Sequence, residues 1–302
     1  MNGRMTFRIL VFGAAIALIG LVLIGLNGRI FAVGDSATVV RPQAGALLVP
    51  LAALLWLLKA RFTALVSLAV AIVAIGSVAP GFFVSGTDCT VSCLTLYQKN
   101  LLSRAWPRYP LADDIIASGA EIVTLQEVSD HNRQFMASMF DHYPTKVICK
   151  FRPRQDVAVL TSLPAVKDTE FCLADAGLAG VQVLAPNNQL IWVLSVHLEW
   201  PFPFDQYHQS EIIAEHIAEL AGPVLIAGDF NMVPWGEILQ RIKNAVGNHR
   251  IGAFRNTYRE GGFLLPLPID TVLVPKGGTG SIELRPYMGS DHLGVLASIA
   301  LR

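Results

Sequence analysis

The 302-residue sequence predicts an α/β layered domain that follows a strongly apolar N-terminal region. The chain is 53% hydrophobic and only 15% charged, which is more apolar than soluble domains usually are. The excess lies before residue 85, where Asp35 is the only acid. After residue 88, strand-like runs alternate with helical ones, a pattern typical of sheets covered by helices.

Three apolar runs before residue 85 each approach the roughly 20 residues that cross the hydrocarbon core of a bilayer. We predict that they form about three transmembrane helices of an anchor over residues 1–84. The predicted spans are residues 7–26, 40–58 and 62–84. The first run is also compatible with a cleavable signal peptide, because it has a basic start and an apolar middle. Whether this run is removed stays open.

Positive charges flank these runs unevenly. Arg4 and Arg8 precede the first run, and Lys59 and Arg61 fill the turn between the second and the third. Such residues favour the cytoplasmic side of a membrane. We therefore predict a multi-pass protein of the plasma (inner) membrane whose later domain is extracytoplasmic or periplasmic. The lipid bilayer is then a partner of the N-terminal helices, and no protein partner can be inferred.

Residues 85–90 are predicted as a linker and residues 91–302 as one domain. Segments such as LTLYQ, EIVTLQE and WVLSVHLEW predict strands, while QYHQSEIIAEHIAEL has apolar residues at helical spacing. Of the 23 basic and 23 acidic residues in the chain, 17 and 22 lie after residue 84, which gives this part a net charge of −5. A domain this acidic is a poor general binder of polyanions.

Acids, amides and imidazoles recur where predicted strands end. Each one alone is more often a turn or surface residue than a catalyst. In GDFN, side chains alternate along the strand, so the acid and the amide are predicted to share one side. The set comprises Asn100, Glu127, His197, Asp229, Asn231, Asp270, Asp291 and His292.

The order QKN, QEV, VHL, GDFN, ID and SDH resembles the endonuclease/exonuclease/phosphatase superfamily of Mg²⁺-dependent phosphoesterases, in its membrane-anchored bacterial type. The resemblance covers roughly residues 91–302 and implies a four-layer α/β sandwich, with two packed mixed sheets flanked by helices. The sequence departs from the family at Lys99, where relatives often have an aromatic residue. It also departs at Asp156 and Val157, where relatives have a glycine. Neither departure is expected to touch the chemistry directly.

By this resemblance, Glu127 is the principal ligand of Mg²⁺, or of Mn²⁺ in its place. Asn100 lies beside it, and Asp291 is a further ligand. Magnesium prefers oxygen ligands and usually takes only one or two protein carboxylates. The resemblance therefore implies a metal-dependent hydrolase acting on phosphoester bonds.

The resemblance assigns the remaining residues to proton transfer and phosphate binding. Asp229 and Asn231 are implied to face the scissile phosphate, and His197 to donate to the phosphate or the leaving oxygen. His292 is implied to pair with Asp270, which fixes its tautomer. Whether Asp229 or His292 takes the proton from water stays open.

The substrate is a phosphodiester of nucleic acid or of phospholipid, and the sequence leaves both open. Lys150, Arg152 and Arg154 alternate, so on a strand they would form a basic stripe that binds substrate, although a solvated face is an equal alternative. Two apolar loops, EWPFPFD and GGFLLPLP, favour contact with a partner or a membrane, although packing on each other or on the anchor is an equal alternative. The alternative function is an inactive superfamily module that acts as a membrane-tethered binding protein.

Four cysteines allow three disulfide pairings outside the cytoplasm. We predict Cys89 with Cys93, and Cys149 with Cys172, because the latter two lie in successive predicted strands.

Overall fold

The computed structural model describes residues 3–105, 107–259 and 266–301, and the chain divides into two compact units. The helical unit comprises Met1–Phe83 together with the short segments Pro201–Phe204 and Trp235–Glu237. The sheet unit comprises the rest of the chain from Val84 onwards. Of the two predicted apolar loops, EWPFPFD is described, whereas residues 261–265 of GGFLLPLP lie outside the described residues.

Two helices of the helical unit are long and apolar enough to cross a membrane. One spans Gly3–Gly25 and the other Arg61–Phe82, whose last turn is a short 3₁₀ helix, whereas the helices Ala32–Val39 and Arg41–Leu57 form a pair bent by 63°. The prediction of about three spans therefore has two continuous helices in its favour, and a third only if the bent pair is one span. The helices are α1 Gly3–Gly25, α2 Ala32–Val39, α3 Arg41–Leu57 and α4 Arg61–Gly76.

Polar contacts fix the bend between α2 and α3. The carbonyl oxygen of Gly25, at the end of α1, accepts hydrogen bonds from Thr38 Oγ1 at 2.7 Å and from Arg41 Nη1 at 3.2 Å. A helix end leaves such carbonyls without intrahelical donors. The buried Arg41 therefore satisfies the end of α1, and α3 begins at this residue.

The sheet unit contains twelve strands and five helices among its described residues. Its strands are β1 Leu94–Asn100, β2 Ile122–Val128, β3 Thr145–Cys149, β4 Asp156–Thr161, β5 Phe171–Leu173, β6 Leu178–Leu184, β7 Leu190–His197, β8 Val224–Asp229, β9 His249–Arg250, β10 Asp270–Val274, β11 Thr279–Arg285 and β12 Gly294–Ala300. Its helices are α5 Tyr109–Ala117, α6 Asp130–Phe135, α7 Ala137–His142, α8 Gln206–Ala218 and α9 Glu237–Ala245.

Two six-stranded mixed sheets form the sandwich. The first has the order β11-β12-β1-β2-β4-β3 and the second β5-β6-β7-β8-β10-β9. The pairs β1/β2 and β7/β8 are parallel, and the other pairs are antiparallel. This arrangement confirms the predicted α/β sandwich.

Alternation along the central strands explains the layers. In β1, Leu94 and Leu96 join the apolar core between the sheets, whereas Tyr97 joins the core beneath α5 and α7. Successive strand side chains point to opposite faces, so a strand covered on both sides buries nearly every residue. On the second sheet, α8 buries Ile213 and Ile217.

Both disulfides form in the predicted pairing, Cys89 with Cys93 and Cys149 with Cys172. Cys149 ends β3 and Cys172 lies in β5, which are edge strands of different sheets. The second disulfide therefore links the two sheets at one side of the sandwich.

Candidate active site

The strand register of the second sheet places three of the predicted site residues in a row. His197 ends β7 and pairs with Asp229 at the end of the parallel β8, and Asp229 pairs with Asp270 at the start of the antiparallel β10. All three side chains are buried. The polar residues that the sequence places at strand ends thus lie side by side at one end of the strands of this sheet.

The first sheet contributes the other predicted residues at the same end of the sandwich. Asn100 ends β1, and Asp291 and His292 immediately precede β12. Glu127 lies in β2 where the register to β4 shifts, and its φ is 55°. Bulges re-aim side chains, and a non-glycine residue with positive φ costs about 1–3 kcal/mol. The surrounding fold holds Glu127 in this conformation.

Asp229 is the centre of the site. Its carboxylate accepts hydrogen bonds from Asn100 Nδ2 at 2.9 Å and from the backbone amide of Asn231 at 2.8 Å. His292 Nε2 and His197 Nε2 lie 3.6 and 3.8 Å from its Oδ2 atom. Burial raises the pKa of Asp229 to about 6, although the two imidazoles oppose this change.

Asn231 differs from the strand-based prediction. It lies beyond β8 with a φ of 44°, in a turn closed by its amide and Asp229 Oδ1. This is the Asx-type turn that Asp and Asn commonly form. The Asn231 side chain donates to the Leu198 carbonyl at 2.7 Å, and the residue still lines the pocket beside Asp229.

His292 and Asp270 form a buried pair, with 2.8 Å between Nδ1 and Oδ2. The other oxygen of Asp270 accepts from Gln98 Nε2 at 2.8 Å. Burial favours a neutral His292 ring, but Asp270 and Asp229 outweigh it and raise the pKa of His292 to about 9. Burial likewise opposes ionisation of Asp270, yet the adjacent imidazole holds its pKa below the ordinary value. The pair therefore orients the ring and leaves Nε2 directed towards Asp229.

A polar network beneath the site was not predicted from the sequence. Gln98 Nε2 also donates to Gln126 Oε1 at 2.8 Å, and Gln126 donates to Ser195 Oγ at 3.0 Å. Ser195 in turn donates to the Leu125 carbonyl at 3.2 Å. These groups connect the two sheets between apolar layers. One signal was available, since Gln98 lies two residues before Asn100 and so shares its face of β1.

Lys99, one of the departures from the family, contacts only the backbone of the segment between β11 and β12 within the described part of the chain, so it does not touch the predicted catalytic side chains directly. Its side chain is fully buried, and burial lowers its pKa to about 7. The Nζ atom donates only to backbone oxygens among the described residues. The acceptors are the carbonyl oxygens of Pro286, Tyr287 and His292. Lys99 therefore holds the segment that carries Asp291 and His292 against β1.

Arg108 binds the backbone of the same segment. Its guanidinium donates to the carbonyls of Met288, Leu101 and Leu102. Burial lowers the pKa of Arg108 from its ordinary value. Nothing in the sequence distinguished this arginine from a surface residue.

Glu127 is fixed as a carboxylate. Its oxygens accept hydrogen bonds from the Ser103 amide at 2.9 Å and from Asn100 Nδ2 at 3.3 Å. Burial opposes its ionisation, but His197 and these two donors outweigh burial and keep the pKa of Glu127 below the ordinary value. Its carbonyl accepts from Asn132, whose side chain also caps α6.

Two groups of residues could hold a metal ion. The ligand atoms of Asp229, Asp270 and His292 all lie within 4.8 Å of one another. However, Asp270 is not among the described residues that line the pocket, and it occupies one ring nitrogen of His292. Glu127 and Asp291 line the pocket instead with Asn100 beside Glu127, and this all-oxygen set suits Mg²⁺ or Mn²⁺. We therefore favour the second group on its chemistry.

The site opens into a pocket of about 350 Å³ lined mostly by polar atoms. Arg154 and Arg104 lie in its wall, as does Trp200, whose ring is 5.5 Å from that of Tyr258. The predicted basic stripe is wrong as a strand feature, because β3 ends at Cys149 and the chain then forms a loop. In this loop Arg152 pairs with Glu199 at 2.6 Å, and Lys150 is exposed.

His197 has a second ring nitrogen, Nδ1, that is buried without a hydrogen-bond partner among the described residues. Its carbonyl accepts from Gln209 of α8 at 2.9 Å, and Gln206 donates to the carbonyls of Phe230 and Asn231 at 3.1 Å. The two glutamines thus hold the turns after β7 and β8. Their i, i+3 spacing on α8 was the signal that the sequence analysis missed.

The family model described as the endonuclease/exonuclease/phosphatase family matches residues 100–292. No curated protein matches the chain. The match begins at Asn100 and ends at His292, so it includes all eight predicted catalytic and metal-binding residues, whereas Gln98 and Lys99 lie just before it.

Solved structures share the fold of the sheet unit. An endonuclease/exonuclease/phosphatase from Bacteroides vulgatus is 14% identical with a TM-score of 0.55, covering 70% of this chain and 99% of that one. A D. rerio TDP2 complexed with single-strand DNA product is 15% identical with a TM-score of 0.55, covering 70% and 100%. An AP endonuclease from Archaeoglobus fulgidus is 15% identical with a TM-score of 0.54, covering 69% and 100%.

Proposed function

Because the chain belongs to the endonuclease/exonuclease/phosphatase family, we propose that it is a membrane-anchored, extracytoplasmic, Mg²⁺-dependent phosphodiesterase. Family membership supports a phosphoesterase. The observation that carries the finer proposal is the hydrogen-bonded series Gln98–Asp270–His292, which aims an imidazole at Asp229. An inactive binding module would have no need to bury these groups together, since buried charges are costly.

Phosphodiester hydrolysis needs neutralisation of charge, an activated water and a stabilised leaving group. When bound by Glu127, Asn100 and Asp291, a divalent ion would supply the charge neutralisation. His292, charged through its contact with Asp270, donates from Nε2 to a phosphoryl oxygen. His197 is positioned to donate to the leaving oxygen.

Proton abstraction from the attacking water falls to Asp229 when His292 is charged, and a His292 ring in its neutral form would take that role in its place. Asp229 is buried and accepts from Asn100 and Asn231, which orient its carboxylate towards the pocket. Its proximity to both imidazoles favours the ionised form needed in a base. Arg154 and Arg104 in the pocket wall are suited to hold the anionic substrate, and Lys150 and Arg152 remain proposed contacts outside it.

The test is a substrate panel offered to the purified full-length protein. The panel contains bis(p-nitrophenyl) phosphate, p-nitrophenyl phosphate, DNA, RNA, nucleotides and phospholipid, each with Mg²⁺ and then with EDTA. We expect a diester to be hydrolysed with Mg²⁺ and not with EDTA. Hydrolysis of monoesters alone, or hydrolysis indifferent to chelator, would contradict the proposal.

The proposed location rests on the two membrane-length helices, the charge asymmetry around them and the two disulfides. Disulfides persist mainly outside the cytoplasm. A reporter active only outside the cytoplasm, fused after Arg302, should be active. A reporter active only in the cytoplasm should be silent in the same fusion, and the reverse pattern would refute this topology.

A further inference from the structure

We infer that the substrate is a phospholipid of the membrane that anchors the protein. We also infer that the loop Pro201–Phe204 inserts into the surface of the same bilayer. This inference rests on the proposed phosphodiesterase function and narrows its substrate class. Four features support it: the loop itself, a second segment, the size of the pocket and the charge of the domain.

The loop Pro201–Phe204 directly follows a pocket residue in the sequence. His197 ends β7, and Trp200 lines the pocket three residues later. The next four residues, Pro201–Phe204, belong to the compact helical unit. Within that unit Ser36 Oγ of α2 donates to the Phe202 carbonyl at 3.3 Å. A segment adjoining the site is thus part of the same unit as the membrane-length helices.

The two phenylalanines of this loop are exposed, Phe202 by 54% and Phe204 by 56%. Loops are normally polar, and exposed apolar side chains grouped together mark a contact surface. The same unit contains two helices able to cross a membrane, so the lipid bilayer is the apolar surface that this loop would contact. Aromatic residues are enriched at the level of the lipid head groups.

A second segment leads from the site to the helical unit. Asn231 lines the pocket, and Trp235–Glu237 belongs to the helical unit. Trp235 Nε1 donates to the Thr38 carbonyl at 2.9 Å, and the Trp235 ring lies 6.3 Å from that of Phe82. Four residues span at most about 14 Å. The chain from Asn231, which lines the pocket, to Trp235, which belongs to the helical unit, is therefore short.

The pocket and the charge favour a lipid over a nucleic acid. A volume of about 350 Å³ is near the lower end for ligand pockets, roughly 300–1,000 Å³, and suits a single head group. The net charge of −5 after residue 84 opposes binding of a polyanion, whereas Arg104 and Arg154 supply local positive charge for one phosphate.

The inference is tested with the full chain in nanodiscs of phosphatidylcholine and phosphatidylglycerol. Release of lipid product is compared with hydrolysis of bis(p-nitrophenyl) phosphate by the same sample. Phe202→Ser/Phe204→Ser should lower the ratio of lipid to soluble-diester turnover by about tenfold or more, which corresponds to about 1.4 kcal/mol, because the serines remove the apolar surface that inserts. The matched control, Leu190→Ser, changes an exposed apolar residue at the opposite end of β7 and should alter the ratio by less than about twofold.

A second measurement is independent of turnover. Phe204→Trp adds an indole to the loop, and its extra fluorescence over wild type should be quenched by nanodisc lipids brominated along their acyl chains. Leu190→Trp should show no such quenching. Absence of quenching at residue 204 would overturn the insertion of the loop.

The outcomes separate the two proposals. Hydrolysis of the soluble diester with an unchanged ratio in the loop variant would overturn the lipid inference and leave the phosphodiesterase function standing. Preferential cleavage of single-stranded DNA over lipid would do the same. Failure of wild type to cleave lipid, DNA and soluble diester alike would refute the proposed function itself.

Discussion

The two sheets contribute different chemistry to one site. The first sheet carries the proposed oxygen ligands, Asn100 and Glu127, beside a pocket open to solvent. The second supplies His197, Asp229 and Asp270, which are buried and suited to handling protons. The difference teaches that neither sheet forms a working site alone, since phosphoester hydrolysis needs both charge neutralisation and proton transfer.

Two contacts join these halves. His292 comes from the loop before β12 of the first sheet, yet its partner Asp270 starts β10 of the second. Gln98 of β1 reaches the same carboxylate from below. The alignment of the dyad therefore depends on the packing of one sheet on the other. Each prediction below perturbs one half or the connection between them.

The largest effect is expected from Glu127→Gln. The substitution removes the negative charge proposed to hold the metal, and several kcal/mol of transition-state stabilisation correspond to about 10⁴-fold in kcat/KM. Steady-state kinetics with Mg²⁺ measure it. Glu283→Gln, an exposed acid on β11 of the same sheet, is the control and should leave kcat/KM near the wild-type value. Activity of Glu127→Gln close to that of wild type would show that Glu127 is not the principal metal ligand.

A smaller loss is expected in the second half. Asp270→Asn and His292→Ala should each lower kcat by about 10²–10³-fold, because the ring loses its orientation or is absent. Groups acting as a unit lose activity together, so the double variant should be hardly worse than the poorer single one. KM should change less than kcat. Independent, multiplicative losses in the four-member cycle would show that the two residues do not act as a pair.

The connection through Lys99 should matter less. Lys99→Met keeps the apolar stem but leaves three carbonyls of the segment between β11 and β12 without their donor. Loss of these hydrogen bonds costs about 1–3 kcal/mol. We expect about a tenfold lower kcat, corresponding to about 1.4 kcal/mol, because His292 is held less firmly. Lys146→Met removes a surface lysine that also donates to one carbonyl, and should be nearly silent. Equal effects of the two substitutions on kcat would show that Lys99 has no positioning role.

The smallest effect on turnover is expected from the disulfide that joins the sheets. Cys149→Ser/Cys172→Ser should lower the free energy of unfolding by about 2–4 kcal/mol while kcat at 25 °C stays within about twofold. Cys89→Ser/Cys93→Ser opens a much shorter loop and should destabilise less. Denaturant unfolding measures both. A greater destabilisation by the second pair would contradict this assignment.

The sequence patterns predicted an α/β layered domain and polar strand ends because both are local signals, whereas the four-layer sandwich was implied by the resemblance to a family. The pairing of Cys149 with Cys172 followed from the same strand pattern. The roles of Lys99 and Arg108 could not be predicted, since their acceptors are backbone carbonyls up to 193 residues away, which leave no side-chain signature. The basic stripe failed because a strand was assumed to continue past Cys149. The bend at Val40 likewise could not be predicted, because it depends on a tertiary hydrogen bond from Arg41 to the Gly25 carbonyl.

The division of labour between the sheets is tested most directly by a metal titration of activity in two variants. The rate of diester hydrolysis is measured against Mg²⁺ concentration for wild type, Glu127→Gln and Asp270→Asn. We predict that Glu127→Gln requires far more Mg²⁺ for half-maximal activity, whereas Asp270→Asn has a lower maximum at an unchanged Mg²⁺ requirement. A shift in the Mg²⁺ requirement for Asp270→Asn with none for Glu127→Gln would place the metal among Asp229, Asp270 and His292, and would contradict the account.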